Sequence, residues 1–281
     1  MIHRGPFFVH VPRGSPLLDG PWSTLLLAIM LLSSCSDPFQ YHPWEVEVPT
    51  DLQDLNVTAM IATSERLSGA SQQFSFAILS DPQLHYDELQ ELLDAVECQQ
   101  DLAFVVVNGD LSDQGLQQEF LWYMDIIGGH STPVISIIGN HDHLGNGRHV
   151  FESMFGPRNT LFHAGGVRFI LFDNVEFESE VEVDHAWLDS ELARPFAGHT
   201  LVFMHVNPGD VQLQGAPLAS LEAIMETRRP TAVFMGHLHT YATGIFPGGT
   251  PWTVVPWPRR RSYLRVDVRS DSVAQQLVEL P

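Results

Sequence analysis

The sequence contains no lysine, so its 14 basic residues are all arginines, and they face 34 acidic residues in a chain of 281. The formal net charge at pH 7 is therefore −20. Electrostatic attraction to phosphate dominates nucleic-acid binding, and a chain this acidic repels a polyanion as a whole. The charge balance disfavours nucleic acid as a partner.

Cysteine and long apolar runs are also scarce. The longest early run, Thr24–Leu32, is too short to span a bilayer but long enough for the core of a signal peptide. It leads directly into Leu-Ser-Ser-Cys35, which resembles the bacterial lipobox. We expect residues 1–34 to be a lipoprotein signal peptide and Cys35 to carry the lipid, although an ordinary hydrophobic segment with a chance cysteine remains the alternative. Lipidation would leave only Cys98, predicted to be inert packing, so no intramolecular disulfide could form.

This N-terminal segment indicates an exported protein, attached to the bacterial cell envelope by lipid rather than by a spanning helix. Residues 35–72 then form a predicted tether, because prolines interrupt a polar, acidic stretch with no sustained hydrophobic period. From residue 73 to residue 281 the pattern is that of a globular domain. Overall the sequence is 44% hydrophobic and 17% charged, which excludes a disordered or collagen-like chain.

Within residues 73–281, short apolar runs alternate with segments of helical period. The apolar runs predict strands, and the amphipathic runs between them predict helices, an order that implies parallel strands and right-handed crossovers. The predicted strands are 74–80, 103–108, 133–138, 167–173, 200–205 and 231–235, with a β-rich remainder. The predicted helices are 87–98, 114–127, 184–193 and 218–225. The two halves of the domain are similar in build and could supply one sheet each.

Five polar clusters follow five of these apolar strands directly. At the carboxyl ends of strands, α/β proteins assemble their functional sites, and Gly beside three of the clusters permits sharp turns. The clusters are Ser-Asp81-Pro-Gln83, Asn-Gly-Asp110-Leu-Ser-Asp113, Gly-Asn140-His141-Asp142, Met-His205 and Gly-His237-Leu-His239. Oxygen and imidazole ligands suit Mn, Fe, Zn or Mg rather than thiolate chemistry. Because one carboxylate can bridge, two metal ions that clamp a phosphoryl group are the natural interpretation.

Taken in order, D-x-Q, G-D-x-x-D, G-N-H-D, H and G-H-x-H resemble the calcineurin-like metallophosphoesterase family, over about three quarters of the chain. The resemblance implies an α/β fold of four αββα layers, in which two packed mixed β-sheets are flanked by helices. It also implies metal-dependent hydrolysis of phosphoric monoesters or diesters by a metal-bridging hydroxide. The substrate class stays open between these two, because variable loops select it.

The resemblance assigns ligands position by position. Asp81, Gln83 and His239 would hold the first metal, Asn140, His205 and His237 the second, and Asp110 would bridge both. His141 would face the substrate as a catalytic residue oriented by Asp113, while Asp142 would support the loop. Each of these residues taken alone has a simpler interpretation, such as helix capping by Asp110 and Asp113.

Gln83 departs from the family pattern, which usually has His there. A neutral amide oxygen is a weaker ligand than imidazole, and His85 could compensate if the strand extended to it. Loss of turnover through Gln83 would leave the alternative of a metal-binding scaffold in a cell-surface complex. For an active enzyme, the acidic chain favours small phosphate esters or lipid head groups over nucleic acid as substrates.

Overall fold

The elements of secondary structure follow the alternation that the sequence predicts. The computed structural model describes residue 44 and residues 46–69, 73–179 and 181–281. The predicted signal peptide, Cys35 and the first part of the predicted tether lie outside these described residues. The helices of the described part are α1 Leu55–Arg66, α2 Tyr86–Glu97, α3 Gln117–Ile127, α4 Gly147–Phe155, α5 His185–Ala193 and α6 Gly215–Arg228.

The described part also contains eleven strands. They are β1 Phe74–Leu79, β2 Leu102–Asn108, β3 Val134–Ile137, β4 Thr160–Ala164, β5 Val167–Leu171, β6 Thr200–Phe203, β7 Ala232–Met235, β8 Ala242–Ile245, β9 Pro251–Val254, β10 Ser262–Val268 and β11 Val273–Glu279. Both ends of each of the first three strands lie within one residue of the predicted ends. Helix α3 starts later than predicted, because the Glu119 carboxylate accepts the backbone N–H groups of Gln114 and Leu116 and thereby caps the helix there.

These strands form two mixed sheets. The first has the order β11-β10-β1-β2-β3 and the second the order β4-β5-β6-β7-β9-β8. Strands β1, β2 and β3 are parallel, as are β5, β6, β7 and β9, whereas β4, β8, β10 and β11 pair antiparallel with their neighbours. As expected, each half of the domain supplies one sheet, except that the C-terminal strands β10 and β11 belong to the first sheet.

The two sheets pack face to face through an aromatic core. Because side chains alternate along a strand, Phe76 and Phe104 of the first sheet point toward Phe169 and Phe203 of the second. The rings of Phe104 and Phe169 lie 5.5 Å apart and meet edge to face. The outer face of the first sheet is covered by α2, α3 and α4, and that of the second by α5 and α6. The four-layer αββα fold is thus confirmed.

Helix α1 corrects the predicted tether. Residues 55–66 form a helix whose buried face includes Ala59, Met60 and Thr63. Asn56 is buried on the same helix, its Nδ2 donates to the Ser136 carbonyl at 2.7 Å, and its Oδ1 accepts the Ser136 N–H at 2.8 Å. Since β3 is an edge strand, Asn56 supplies hydrogen bonds that a further strand would otherwise make. This helix was not predicted from the sequence, because prolines precede it and its apolar face is short.

Replacing Asn56 by Ala is expected to lower the free energy of unfolding by about 3 kcal/mol, because a buried N–H and a buried C=O of β3 lose their partners. Equilibrium unfolding in urea measures this change. Thr58→Ala, at an exposed position of the same helix, is the matched control. Equal stabilities of the two variants would contradict the anchoring role of Asn56.

Two further findings concern Cys98 and the length and polarity of the helices. Cys98 is exposed, so its prediction as inert packing is wrong; it lies one residue beyond the end of α2. Within the described residues, none of the helices is both long enough and apolar enough to cross a membrane.

Candidate metal centre

The five polar clusters meet where strands of the two sheets end. Strands β1, β2 and β3 deliver the first three clusters, and β6 and β7 deliver the last two. Two groups of side chains there bring their potential ligand atoms within 4.8 Å of one another. One group is Asp110, His205 and His237, and the other is Asp81, Asp110 and His239. Asp110 belongs to both groups, as expected of a bridging carboxylate.

Short distances link the members of each group. His205 Nε2 lies 3.2 Å from Asp110 Oδ2, and His239 Nε2 lies 3.5 Å from Asp81 Oδ1. Asn140 Oδ1 lies 3.1 Å from His205 Nε2 and 2.9 Å from His237 Nδ1. The amide oxygen of Asn140 therefore joins the group that contains the two imidazoles, as its predicted role requires.

Four of these residues have a backbone conformation that is unusual for side-chain-bearing residues. Asp81, Asp110, His237 and His239 have φ of 53°, 56°, 71° and 58°, in the left-handed region. Hydrogen bonds hold them there: the His237 N–H donates to the Asp81 carboxylate at 3.0 Å, and the His141 N–H donates to Asp110 Oδ1 at 3.0 Å. Half of the eight non-glycine residues with positive φ in the described part are candidate ligands, and strained backbone of this kind is common at functional sites.

The imidazole of His205 is fully buried, and a hydrogen bond fixes its orientation. Its Nδ1 donates to the Asn108 carbonyl at 2.7 Å, which leaves Nε2 free to act as a ligand. Burial lowers the pKa of His205, but the carboxylates of Asp110 and Asp81 outweigh burial and raise the pKa to about 10. Without a metal ion, a protonated His205 offsets the negative charge of the buried Asp110 and Asp81 carboxylates. A bound cation would offset the same charge.

The His237 imidazole is fixed from its other side. Its Nε2 faces the Asp210 carboxylate at 3.4 Å, whereas Nδ1 points toward Asn140. Burial, and next the charge of His205, lower the pKa of His237. A carboxylate that accepts the outer N–H of a ligand histidine is a common support of metal sites.

The described residues fit a pair of metal ions in two further respects. The donor set of carboxylate, amide and imidazole groups suits Mn, Fe, Zn or Mg. Gln83 Oε1 is buried and lacks a hydrogen-bond partner among the described residues, while the backbone N–H of Gln83 donates to the Asp110 carbonyl at 3.0 Å. An unpaired buried oxygen is what a weak metal ligand would leave when no ion is bound.

His85 does not replace Gln83 as a ligand. Strand β1 ends at Leu79, and His85 immediately precedes helix α2, so the alternation of a strand does not reach it. Its ring instead packs against the edge of Trp257 at 4.6 Å. The His239 ring stacks on the same indole at 4.3 Å with the planes 9° apart, and this contact holds the candidate ligand in place.

The Gly236 backbone leaves no room for a side chain. A Cβ at this position would collide with Ser80 Oγ and lie 2.8 Å from the Asn108 carbonyl oxygen and 2.9 Å from Asp81 Oδ2. Glycine there lets the turn that carries His237 approach the end of β1. The sequence pattern Gly-His-Leu-His thus has a steric reason as well as a chemical one.

Gly236→Ala is expected to lower the free energy of unfolding by about 1–3 kcal/mol and to weaken metal binding about tenfold, since the collision displaces Asp81. Thermal unfolding and metal titration measure the two effects. Gly129→Ala is the matched control, because a Cβ at Gly129 would meet only an ordinary contact, 3.4 Å from the Ile126 carbonyl oxygen. Unaltered metal affinity in Gly236→Ala would refute the steric argument.

His141 lies beside the candidate ligands without belonging to either group. Its side chain is 33% exposed, and its Nδ1 donates to the main-chain carbonyl of Asp113 at 2.7 Å. The Asp113 carboxylate is farther away, at 3.7 Å, so Asp113 orients the ring mainly through its backbone. Burial lowers the pKa of His141, but the charge of Asp110 and the contacts with Asp113 raise it overall.

Asp142 supports the loop, as expected. Its buried carboxylate accepts the backbone N–H groups of Leu111, Ser112 and Gly139. Burial, and next the charge of Asp110, raise the pKa of Asp142 to about 6. This carboxylate ties the second cluster to the third. Neither Asp110 nor Asp113 caps helix α3, so the simpler interpretation of both is wrong.

Sequence reasoning missed several residues around the centre. Asn174 Oδ1 accepts the backbone N–H groups of His205 and Val206, both at 3.0 Å. In the loops after β5 and β6, Glu178 accepts a hydrogen bond from Asn140, Asp210 faces His237, and Gln212 donates to Glu178. Only the strand end before Asn174 gave a signal, since loop residues follow no periodic pattern.

The sequence and the fold are similar to those of known proteins. A sequence profile of the calcineurin-like phosphoesterase family matches residues 74–241. The chain is 29% identical over 176 residues to a protein of Rhodopseudomonas palustris named "Probable cyclic nucleotide phosphodiesterase", and the match covers 53% of this chain and 61% of the relative. A protein of Fibrobacter succinogenes with a similar name is 25% identical over 164 residues, covering 52% of this chain and 61% of the relative. The match thus spans about three fifths of each relative.

Solved structures share the fold at low sequence identity. A dimetal phosphatase from Danio rerio superposes with a TM-score of 0.57 at 15% identity, covering 74% of this chain and 98% of the other. A purple acid phosphatase from yellow lupin (Lupinus luteus) gives a TM-score of 0.60 at 13% identity, covering 75% of this chain and 52% of the other. At such identities the likeness concerns the fold alone.

Proposed function

The chain belongs to the calcineurin-like phosphoesterase family, and we propose that it hydrolyses phosphoric diesters at a centre that holds two metal ions. The observation that carries the proposal is the sharing of Asp110 by two groups of potential ligands. Asp81 and His239 complete the first site, with Gln83 beside them. Asn140, His205 and His237 complete the second. Two bound ions would supply Lewis acidity to the phosphoryl oxygens and an activated water.

In this proposal His141 contacts the substrate directly. Because Nδ1 is engaged by the Asp113 carbonyl, Nε2 is the free ring nitrogen. A proton on Nε2 can be donated to a phosphoryl oxygen as negative charge develops, or to the leaving alkoxide.

The charges around the centre support a diester rather than a monoester. Asp113, Glu178 and Asp210 are carboxylates that touch His141, Asn140 and His237, respectively. A monoester dianion places one more negative charge among them than a diester does. The names of the two curated relatives agree with this preference and favour a cyclic nucleotide among the possible diesters.

The test is hydrolysis by the purified protein, stripped of metal and then loaded with Mn, Mg, Zn, Fe or Co. Bis(4-nitrophenyl) phosphate is the diester probe, and 4-nitrophenyl phosphate is the monoester probe. We expect metal-dependent turnover with a higher kcat/KM for the diester. A higher kcat/KM for the monoester would overturn the diester assignment, and folded, metal-loaded protein without turnover would overturn the enzyme assignment for this chain.

The weak ligand at position 83 favours a second candidate, a metal-binding scaffold of the same fold. Gln83→His decides between the two. For an enzyme, we expect Zn to bind the first site about tenfold more tightly and turnover to change modestly, because imidazole binds Zn more strongly than an amide oxygen does. Turnover confined to Gln83→His, with none in the parent chain, would identify the scaffold.

We further propose that Cys35 carries a lipid that attaches the exported protein to the cell envelope. The apolar run and the Leu-Ser-Ser-Cys35 tetrad support this proposal. Incorporation of labelled palmitate in cells tests it, with Cys98→Ser as the control for Cys35→Ser. Labelling that survives Cys35→Ser would refute it.

A further inference from the structure

Four arginines line one cavity at an end of the second sheet. They are Arg168, Arg194, Arg228 and Arg229. The cavity has a volume of about 260 Å³, several times the roughly 30 Å³ that a water molecule occupies in the liquid. The whole chain has 14 basic residues against 34 acidic ones, so the charge gathered here is opposite in sign to that of the protein. Such a cavity attracts an anion.

This cavity lies away from the candidate metal centre. Among its lining residues, Arg168 is the second residue of β5, Thr200 is the first residue of β6, and Thr231 directly precedes β7. The proposed ligands His205 and His237 instead follow the other ends of β6 and β7. The extended chain from Thr200 to His205 spans up to about 16 Å. A ligand in the cavity would therefore leave the metal centre open to a substrate.

Arg168 is buried in the wall of the cavity without a carboxylate partner among the described residues; it is 6% exposed. Its Nε donates to Thr200 Oγ1 at 3.2 Å, and its Nη1 donates to the main-chain carbonyls of Glu191 and Arg194, both at 2.9 Å. All three acceptors are neutral, and no described residue accepts a hydrogen bond from Nη2. Burial lowers the pKa of Arg168 although the Glu191 carboxylate raises it. A buried cation of this kind calls for a counter-charge.

The carboxylates beside the cavity are occupied by the other arginines. Arg194 Nη1 lies 3.0 Å from Glu191 Oε2. Arg228 forms a bidentate pair with Asp189, in which Nε and Nη2 donate to the two carboxylate oxygens at 2.7 Å and 3.0 Å. These two pairs neutralise two of the four guanidinium charges and leave those of Arg168 and Arg229.

Arg229 lies exposed directly after the last residue of α6. Its Nε donates to the main-chain carbonyl of Glu226 at 3.0 Å, and no carboxylate of the described residues pairs with its guanidinium. The cavity therefore combines a buried, positioned guanidinium with an exposed one at its mouth. The ring of Phe196 helps to position the buried group, since the Arg168 guanidinium lies over it, 5.3 Å from the ring centre.

We propose that this cavity binds a phosphate-type oxyanion, with Arg168 and Arg229 as its charged ligands. Guanidinium groups present parallel N–H donors that match the oxygen atoms of a phosphate, and such charge-assisted hydrogen bonds are strong. Free inorganic phosphate and the phosphate of an anionic lipid head group share this chemistry. The site does not depend on the proposed hydrolysis, because it lies at the other end of the strands.

Arg229→Glu tests the inference, and Arg66→Glu is the matched control. Both arginines are exposed at the end of a helix, and each donates to one main-chain carbonyl, but Arg66 lies outside the cavity. Both variants change the net charge equally. The measurement is calorimetric titration of the metal-loaded protein with inorganic phosphate.

We expect one phosphate per chain whose affinity falls at least about tenfold in Arg229→Glu and is unchanged in Arg66→Glu, as the loss of a charge-assisted hydrogen bond implies. Phosphate held by metal ions keeps its affinity in both variants. Arg168→Gln should also abolish the binding, but it removes the donor to two carbonyls near the end of α5 and destabilises the fold. Arg229→Glu therefore decides the test.

Vesicles distinguish the two sources of phosphate. Sedimentation measures binding of the full chain to vesicles of phosphatidylglycerol and, for comparison, of phosphatidylcholine. A preference for phosphatidylglycerol that Arg229→Glu loses and Arg66→Glu keeps, without binding of free phosphate, would assign the cavity to a lipid head group. If neither free phosphate nor phosphatidylglycerol distinguishes Arg229→Glu from Arg66→Glu, the inference is overturned.

Discussion

Replacing Asp110 by Asn is expected to lower kcat/KM for a phosphodiester at least about a thousandfold and to remove most bound metal. Asp110 is the carboxylate that both candidate groups share, so one substitution weakens both sites. Asparagine preserves the size of the side chain but carries no negative charge. It can also present its amide nitrogen, which cannot bind a cation, to one of the two ions. The same change removes the strongest electrostatic partner of His205.

Metal stoichiometry and steady-state kinetics together check this prediction. Asp125→Asn is the matched control, because Asp125 is an exposed residue of α3. The control is expected to keep both metal content and turnover. Two metal ions per chain and near-normal turnover in Asp110→Asn would show that Asp110 does not bridge the two ions. This result would contradict the proposed two-metal centre.

The core strands and the polar residues at their ends are predictable from the sequence for one physical reason. Strand β2 lies inside a parallel region buried on both faces, so its residues form a continuous apolar run. The abrupt change to Gly-Asp110 marks the point where the chain leaves the core. The same change follows β3 and β7, which is why a linear pattern identified side chains that the fold brings together from both sheets.

Elements that depend on tertiary contacts were not predictable in this way. Helix α1 has a narrow apolar face, and Asn56 anchors it by hydrogen bonds to β3 that leave no mark in hydrophobic periodicity. The His143 side chain is buried against Asp173 at 3.2 Å, and Arg158 also pairs with that carboxylate, although no periodic pattern in the sequence marks these contacts.

The loop residues Glu178, Asp210 and Gln212 were missed for a related reason. These residues occupy irregular loops, where neither a period of two nor one of 3.6 residues distinguishes a side chain that faces the site from one that faces solvent. Because 34 residues of the chain are acidic, Glu178 and Asp210 do not stand out in the sequence. Their role becomes visible only when contacts with Asn140 and His237 are known.

Replacing His141 by Gln is expected to lower kcat about 10²–10⁴-fold while both metal ions stay bound, because His141 belongs to neither ligand group. Glutamine has similar length and can still accept or donate a hydrogen bond, but it cannot transfer a proton to a leaving alkoxide. The expected result therefore separates catalysis by this side chain from metal binding, which Asp110→Asn abolishes together with turnover.

The backbone contact of His141 gives this prediction an internal control. Since the Asp113 carbonyl lies 2.7 Å from His141 Nδ1 and the Asp113 carboxylate lies 3.7 Å away, Asp113→Ala leaves the closer contact in place. We expect Asp113→Ala to lower kcat by less than about tenfold, as the loss of a partly exposed ion pair implies. Measuring kcat with an aryl diester and with an alkyl diester sharpens the test, because an alkoxide needs a proton more than an aryl oxide does. A smaller loss in His141→Gln for the alkyl diester than for the aryl diester would contradict proton donation and leave only stabilisation of the phosphoryl oxygens.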